Sequence, residues 1–154
     1  MRKFIKPLLV ISFLILSLLE ISCAGDAKDL LLTTEIKLIN NTDKIISMAY
    51  IVDEDTVDLF QILPFTEYVD KVTTEAGDNV SLLEAGEDAL MRVWDFAPTI
   101  PLLISYNGEK CSIVENNEGP RNISNFESVK LSKRHFQYSY QFSDEHYDEA
   151  DSCE

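Results

Sequence analysis

Few side chains in this sequence belong to the types that make and break bonds. There are two histidines, His135 and His146, and three cysteines, Cys23, Cys111 and Cys153. A Ser-His-Asp relay would need one of those histidines beside a serine and a carboxylate. His135 follows Arg134 at the start of an alternating row, His146 sits among acids, and no G-x-S-x-G occurs. Carboxylates are plentiful, with 27 Asp and Glu, but glycoside hydrolysis asks for two facing each other across a cleft. Abundance singles out no such pair. "DEDTVD" (53–58) could gather oxygen ligands for Ca²⁺, yet Val57 falls on the third ligand position of an EF-hand and no glycine follows at the sixth. A solvated hairpin tip is the plainer reading. The glycines stand singly, so there is no phosphate-cradling loop, and no CxxC or Cys/His cluster offers a zinc site. No catalytic residue, cofactor or metal is expected, and a small hydrolase ranks last among the functions considered.

The elements that would have to position any working group are strands. In "HFQYSYQF" (135–142), Phe136, Tyr138, Tyr140 and Phe142 alternate with polar residues, the period of a strand with one wet face. Tyr138 and Tyr140 invite a glycan-stacking reading. A strand whose other face is polar must bury its aromatic side, however, so a core stripe is preferred. "PLLISYNGEKCSIVEN" holds Asn107-Gly108, the pair favoured in a two-residue type I′ turn. That turn predicts Tyr106 opposite Glu109 and Ile104 opposite Cys111, with Leu102, Ile104, Tyr106, Cys111 and Ile113 on the inner face.

Elsewhere "TTEIKLINN" (33–41) opens the domain, and "KIISMAYIV" (44–52) is apolar on both faces, as in a central strand. "TVDLFQIL" and "TEYVDKVTT" flank a bend at Pro64. In "NVSLLEAGEDALMRVW", Leu83, Leu90 and Trp94 have near-helical spacing, but Gly86 and Val93 favour strands over 80–96. Seven or eight short strands with turn signals between them predict an all-β, antiparallel β-sandwich over 33–143. The acidic tail, 144–154, is expected to fray or to form one helical turn begun by Ser143.

Two cysteines lie beyond the first 23 residues. A Cys111–Cys153 disulfide would tie the tail to the body; a buried free thiol at Cys111 is the alternative. "NNT", "NVS" and "NIS" match glycosylation sequons at Asn40, Asn79 and Asn122, read as chance behind a leader of bacterial type.

That leader is "MRKFIKPLLVISFLILSLLEISCAGD". Three basic residues precede an almost unbroken apolar run from Leu8 to Leu19, too short for the roughly 20 residues that span a bilayer and apt for a signal peptide over 1–23. Ser22-Cys23 resembles the lipobox of bacterial lipoproteins, which implies lipidation of Cys23, although Glu20 stands where an apolar residue is usual. Ser22-x-Ala24 alternatively suits an ordinary signal peptidase releasing the chain from Gly25. Residues 24–32 read as a short linker. The expected location is outside the cytoplasm: anchored to the outer membrane through lipid if Cys23 is modified, periplasmic or secreted otherwise.

Without residues 1–23 the chain has 131 residues, one domain, with 10 basic and 26 acidic side chains and a net charge of −16. Such a charge is repelled by nucleic acids and anionic lipid.

The combination of a leader ending in Cys, "IKLINNTDKII", "LMRVWDFAPTIPLLISYNGEKC", "GPRNISNFES" and the ending "YSYQFSDEHYDEA" resembles small uncharacterised envelope lipoproteins of gut Bacteroidetes, a group filed under domains of unknown function. The resemblance implies an immunoglobulin-like sandwich in the cell envelope, and no catalytic residues to carry over. The function expected is a non-catalytic module whose loops bind a protein or a glycan. The alternative is an acidic inhibitor or chaperone-like protein for a basic exported partner.

Overall fold

The computed structural model describes residues 31–53, 55–76, 80–94 and 99–153. The leader, Cys23, Asn79 and most of the proposed linker lie outside them. No helix of the described residues is long and apolar enough to cross a membrane. The strands are β1 (Leu31–Asn40), β2 (Ile46–Val52), β3 (Asp55–Ile62), β4 (Glu67–Glu75), β5 (Leu102–Tyr106), β6 (Lys110–Val114), β7 (Glu127–Ser132), β8 (His135–Phe142) and β9 (Asp151–Ser152). Helix α1 (Leu82–Val93) lies between β4 and β5, and α2 (Asp144–Glu149) between β8 and β9.

Two sheets form, ordered β4-β1-β8-β7 and β3-β2-β5-β6-β9. The protein is an all-β sandwich, with nine strands among the described residues rather than seven or eight. The β2–β3, β2–β5, β5–β6, β6–β9 and β7–β8 pairs are antiparallel, whereas β1 and β8 run parallel with Ile36 opposite Tyr138 and Leu38 opposite Tyr140. In a constant-type immunoglobulin domain the first two strands share a sheet; here they belong to different sheets, so the likeness is one of two-sheet architecture.

Alternation explains the core. On β1, Leu32, Thr34, Ile36, Leu38 and Asn40 are buried while the residues between them are not. Strand β8 does the same with Phe136, Tyr138, Tyr140 and Phe142. These side chains join Ile46, Met48, Leu102, Ile104 and Tyr106 of the second sheet in one apolar cluster. Each large apolar side chain removed from water contributes on the order of 1.5–3 kcal/mol, so the two alternating rows hold the layers together. β2, apolar on both sides, is indeed internal to its sheet, between β3 and β5.

Three sequence-based expectations are corrected. Residues 82–93 form a helix, not strands. Ser81 caps it: its Oγ accepts from Glu84 N–H (3.2 Å) and the Glu84 carboxylate accepts from Ser81 N–H (3.1 Å), a capping box. Hydrogen bonds from the Ser81 backbone and hydroxyl hold the Glu84 carboxyl below its ordinary value. Gly86 serves packing, since a Cβ there would lie 2.7 Å from Ile123 and 2.8 Å from Tyr138.

The hairpin register is shifted by one. Asn107 and Gly108 have φ of 52° and 73°, and Glu109 N–H bonds Tyr106 O as a type I′ turn requires. The ladder then resumes with Tyr106 opposite Lys110 and Ser105 opposite Cys111. Glu109 is therefore an extra loop residue. The slip moves Cys111 and Ile113 off the inner face, and Val114 takes the buried place. Cys111 is thus no buried thiol; it is bonded to Cys153.

The domain's bounds are wider than 33–143: the acidic tail does not fray but forms the helical turn begun by Ser143, and it is part of the fold. Beyond α2, β9 pairs with β6, and Cys153 N–H bonds Glu109 O. The domain also starts earlier than expected, because Leu31 and Leu32 already belong to β1.

Candidate functional site

The aromatic row does not form a surface. Tyr138 is 2% exposed and Tyr140 7%, so neither can stack a sugar. Burial raises both phenol pKa values, and the Tyr138 hydroxyl donates to Leu82 O at the start of α1.

Neither histidine meets a catalytic constellation. His135 Nε2 lies 3.0 Å from Glu35 Oε1 on the outer face of β1 and β8, with Lys71 Nζ 3.3 Å from the same oxygen. His146 Nδ1 faces both the N–H (3.1 Å) and the Oγ (2.9 Å) of Ser143, and its Nε2 faces Tyr140 Oη at 3.2 Å. Because Nδ1 accepts from a backbone N–H, this serine–histidine contact is a helix cap, with a phenol rather than a carboxylate behind the ring. Asp53, Asp55 and Asp58 are all exposed at or beside the β2–β3 hairpin tip. Asn40 is wholly buried: its amide donates to Lys44 O, Ile62 O and Leu63 O and accepts from Thr42. It is a latch, not a glycan acceptor. Asn122 Nδ2 donates to Asn117 O and its Oδ1 accepts from Ser124 N–H.

The concavity lies elsewhere. Helix α1 and the 116–124 segment, which no catalytic or ligand-binding motif singled out, enclose a cleft of about 290 Å³. Its apolar wall is Leu90, Met91, Trp94 and Ile123, with Met91 51% exposed. Its polar wall is Glu87, Asn116, Asn117 and Ser124, whose side chains make no hydrogen bond or ion pair among the described residues. Arg121 also lines it, but is buried and donates to Ile100 O at 2.6 Å.

The loop wall is held from within. Two 3₁₀ turns, Gly119–Arg121 and Ile123–Asn125, fold it. Trp94 Nε1 donates to Pro120 O (3.2 Å), Asn125 Nδ2 to Gly119 O (2.9 Å) and Arg121 N–H to Glu118 O (2.8 Å). Asn117 has φ of 63°, a left-handed conformation that asparagine tolerates better than most residues. The sequence did carry a signal for this wall in "ENNEGPRNISN", a concentration of asparagine and turn residues after a strand.

One further surface stands out. At the Leu63–Thr66 turn, Phe65 is 72% exposed at φ 54° and Leu63 is 56% exposed. The turn is cross-linked by hydrogen bonds: Leu63 O accepts from Thr66 N–H, Thr66 Oγ1 and the Asn40 amide, while Phe65 N–H bonds Thr42 O.

No family model, curated protein or solved structure matches the chain.

Proposed function

We propose that this protein is an exported, non-catalytic binding module of the bacterial cell envelope, with the α1–loop cleft as its working surface. It is carried by one observation: a cleft whose apolar floor faces four uncommitted polar side chains, set on a rigid sandwich. The leader and the resemblance to envelope lipoproteins support the location, with Cys23 as the point of attachment if it is lipidated.

The test compares the purified full-length chain with Ser124→Phe, a substitution at an exposed position that narrows the cleft. Envelope material separated into polysaccharide and protein fractions is passed over each. At least tenfold weaker retention by the variant is expected. Equal retention would remove the cleft from the function, and polymer turnover lost on a single change at His135 or Glu87 would replace binding by catalysis.

A second reading, an inhibitor or chaperone-like protein for a basic exported partner, is favoured by the Phe65 turn. A bulky residue at positive φ is strained, and one so exposed regains nothing by burial. Held stiffly on an acidic body, it suits an anchor for an apolar socket with a basic rim. On this reading Phe65→Ser weakens the complex with such a partner tenfold or more, and raising the salt weakens it further. Affinity indifferent to both would remove the reading.

A further inference from the structure

Resting on the cleft as the binding surface, we infer that its ligand is an uncharged sugar residue rather than a polypeptide segment or an anion. Charge is the first ground. Among the described residues the cleft is lined by one carboxylate, Glu87, and one guanidinium, Arg121, which is buried and bonded to Ile100 O. The acid stands against a phosphate or uronate, and a single carboxylate among the described lining residues is no acidic cluster to draw a lysine or arginine. Neither charge sign is courted.

The second ground is where the loop's backbone is spent. Peptides are commonly gripped through main-chain hydrogen bonds, which need unpaired backbone groups along the groove. Between 117 and 123 the carbonyls of Asn117, Glu118, Gly119, Pro120, Asn122 and Ile123 already accept from Asn122 Nδ2, Arg121 N, Asn122 N with Asn125 Nδ2, Trp94 Nε1, Asn125 N and Phe126 N respectively. With these carbonyls engaged, side chains carry most of the recognition: two primary amides, a hydroxyl and a carboxylate.

That set matches adjacent hydroxyl groups. Each amide offers donors and an acceptor, the carboxylate accepts from two neighbouring O–H groups, and all four are uncommitted. Across from them, Leu90, Met91 and Ile123 offer an apolar wall for the C–H face of a ring, and the Met91 thioether is adaptable to its contour. About 290 Å³ sits at the small end of ligand pockets, room for a terminal sugar rather than a long chain.

The chain carries one tryptophan, and Trp94 lines this cleft, so its emission reports occupancy. The full-length protein is titrated with methyl glucoside, methyl galactoside and methyl N-acetylglucosaminide, with galacturonate, and with the tripeptide Ala-Lys-Ala. A saturable change with at least one neutral glycoside is expected, weakened tenfold or more in Glu87→Gln and in Asn117→Ala and lost in Ser124→Phe. Circular dichroism verifies that each variant is folded. A response only to galacturonate or the tripeptide overturns the sugar assignment while leaving the cleft as a binding surface. No saturable response to any probe overturns the sugar assignment, and the retention experiment above then judges the cleft separately. A glycoside response unchanged in Ser124→Phe overturns both.

Discussion

Glu35 shows how one side chain couples this fold to acidity. Partial burial opposes its ionisation, but hydrogen bonds and charge from Lys71 and His135 outweigh that and hold its carboxyl below the ordinary value. A folded value below the unfolded one gives stability that is present above the ordinary carboxylate range and lost as pH falls through the folded value. Urea unfolding at pH 7 and pH 3 is therefore expected to show a larger loss for wild type than for Glu35→Gln; equal losses would show that the group contributes nothing. Residues of this kind were only half legible in the sequence. The burial of Phe136, Tyr138, Tyr140 and Phe142 could be read from alternation, because period two and a polar opposite face admit one arrangement. The Glu35–His135 contact could not, since it joins residues a hundred positions apart through a parallel pairing that no local pattern announces.

Among the elements, α1 was the one misread, and the reason is physical. Gly86 and Val93 lower helix propensity, but propensity is a weak prior beside a capping box and a packing surface. "SLLE" (81–84) was the signal for the box. The glycine that argued against a helix is what lets it approach β8 and Ile123. Gly86→Ala should therefore cost about 1–3 kcal/mol through overpacking, less about 1 kcal/mol of improved helix propensity. Thermal unfolding measures the balance, and a stabilised variant would mean that Ile123 and Tyr138 yield without cost. The β5–β6 hairpin teaches a related lesson. Asn107-Gly108 did specify the turn, yet one added residue, Glu109, moved every following side chain to the other face. The cleft was illegible for a different reason: its walls come from a helix read as strands and a loop whose shape depends on contacts with that helix.

At the scale of the molecule, the Cys111–Cys153 bond spans 42 positions and fastens β9 and α2 to β6. Closing a loop of that length restricts the unfolded chain, so Cys111→Ser with Cys153→Ser is expected to lose about 2–4 kcal/mol. Equilibrium unfolding in urea, with and without reductant, measures it; a loss well under 1 kcal/mol would mean that packing of Tyr147 and Ala150 holds the tail unaided. Two-sheet architecture was readable from strand spacing alone, whereas strand order was not, because alternation says which face is buried but never which neighbour lies alongside.

The parallel union of β1 with β8 has a consequence in time. A chain made or threaded from its N-terminus presents β1 first, yet the strand that flanks it on one side is nearly the last long one to arrive. Until then an apolar-faced strand keeps an unsatisfied edge, open to mispairing with another chain. The final zipping across about a hundred residues should set the pace of folding, and leave early-emerging chains with that edge open until it is complete.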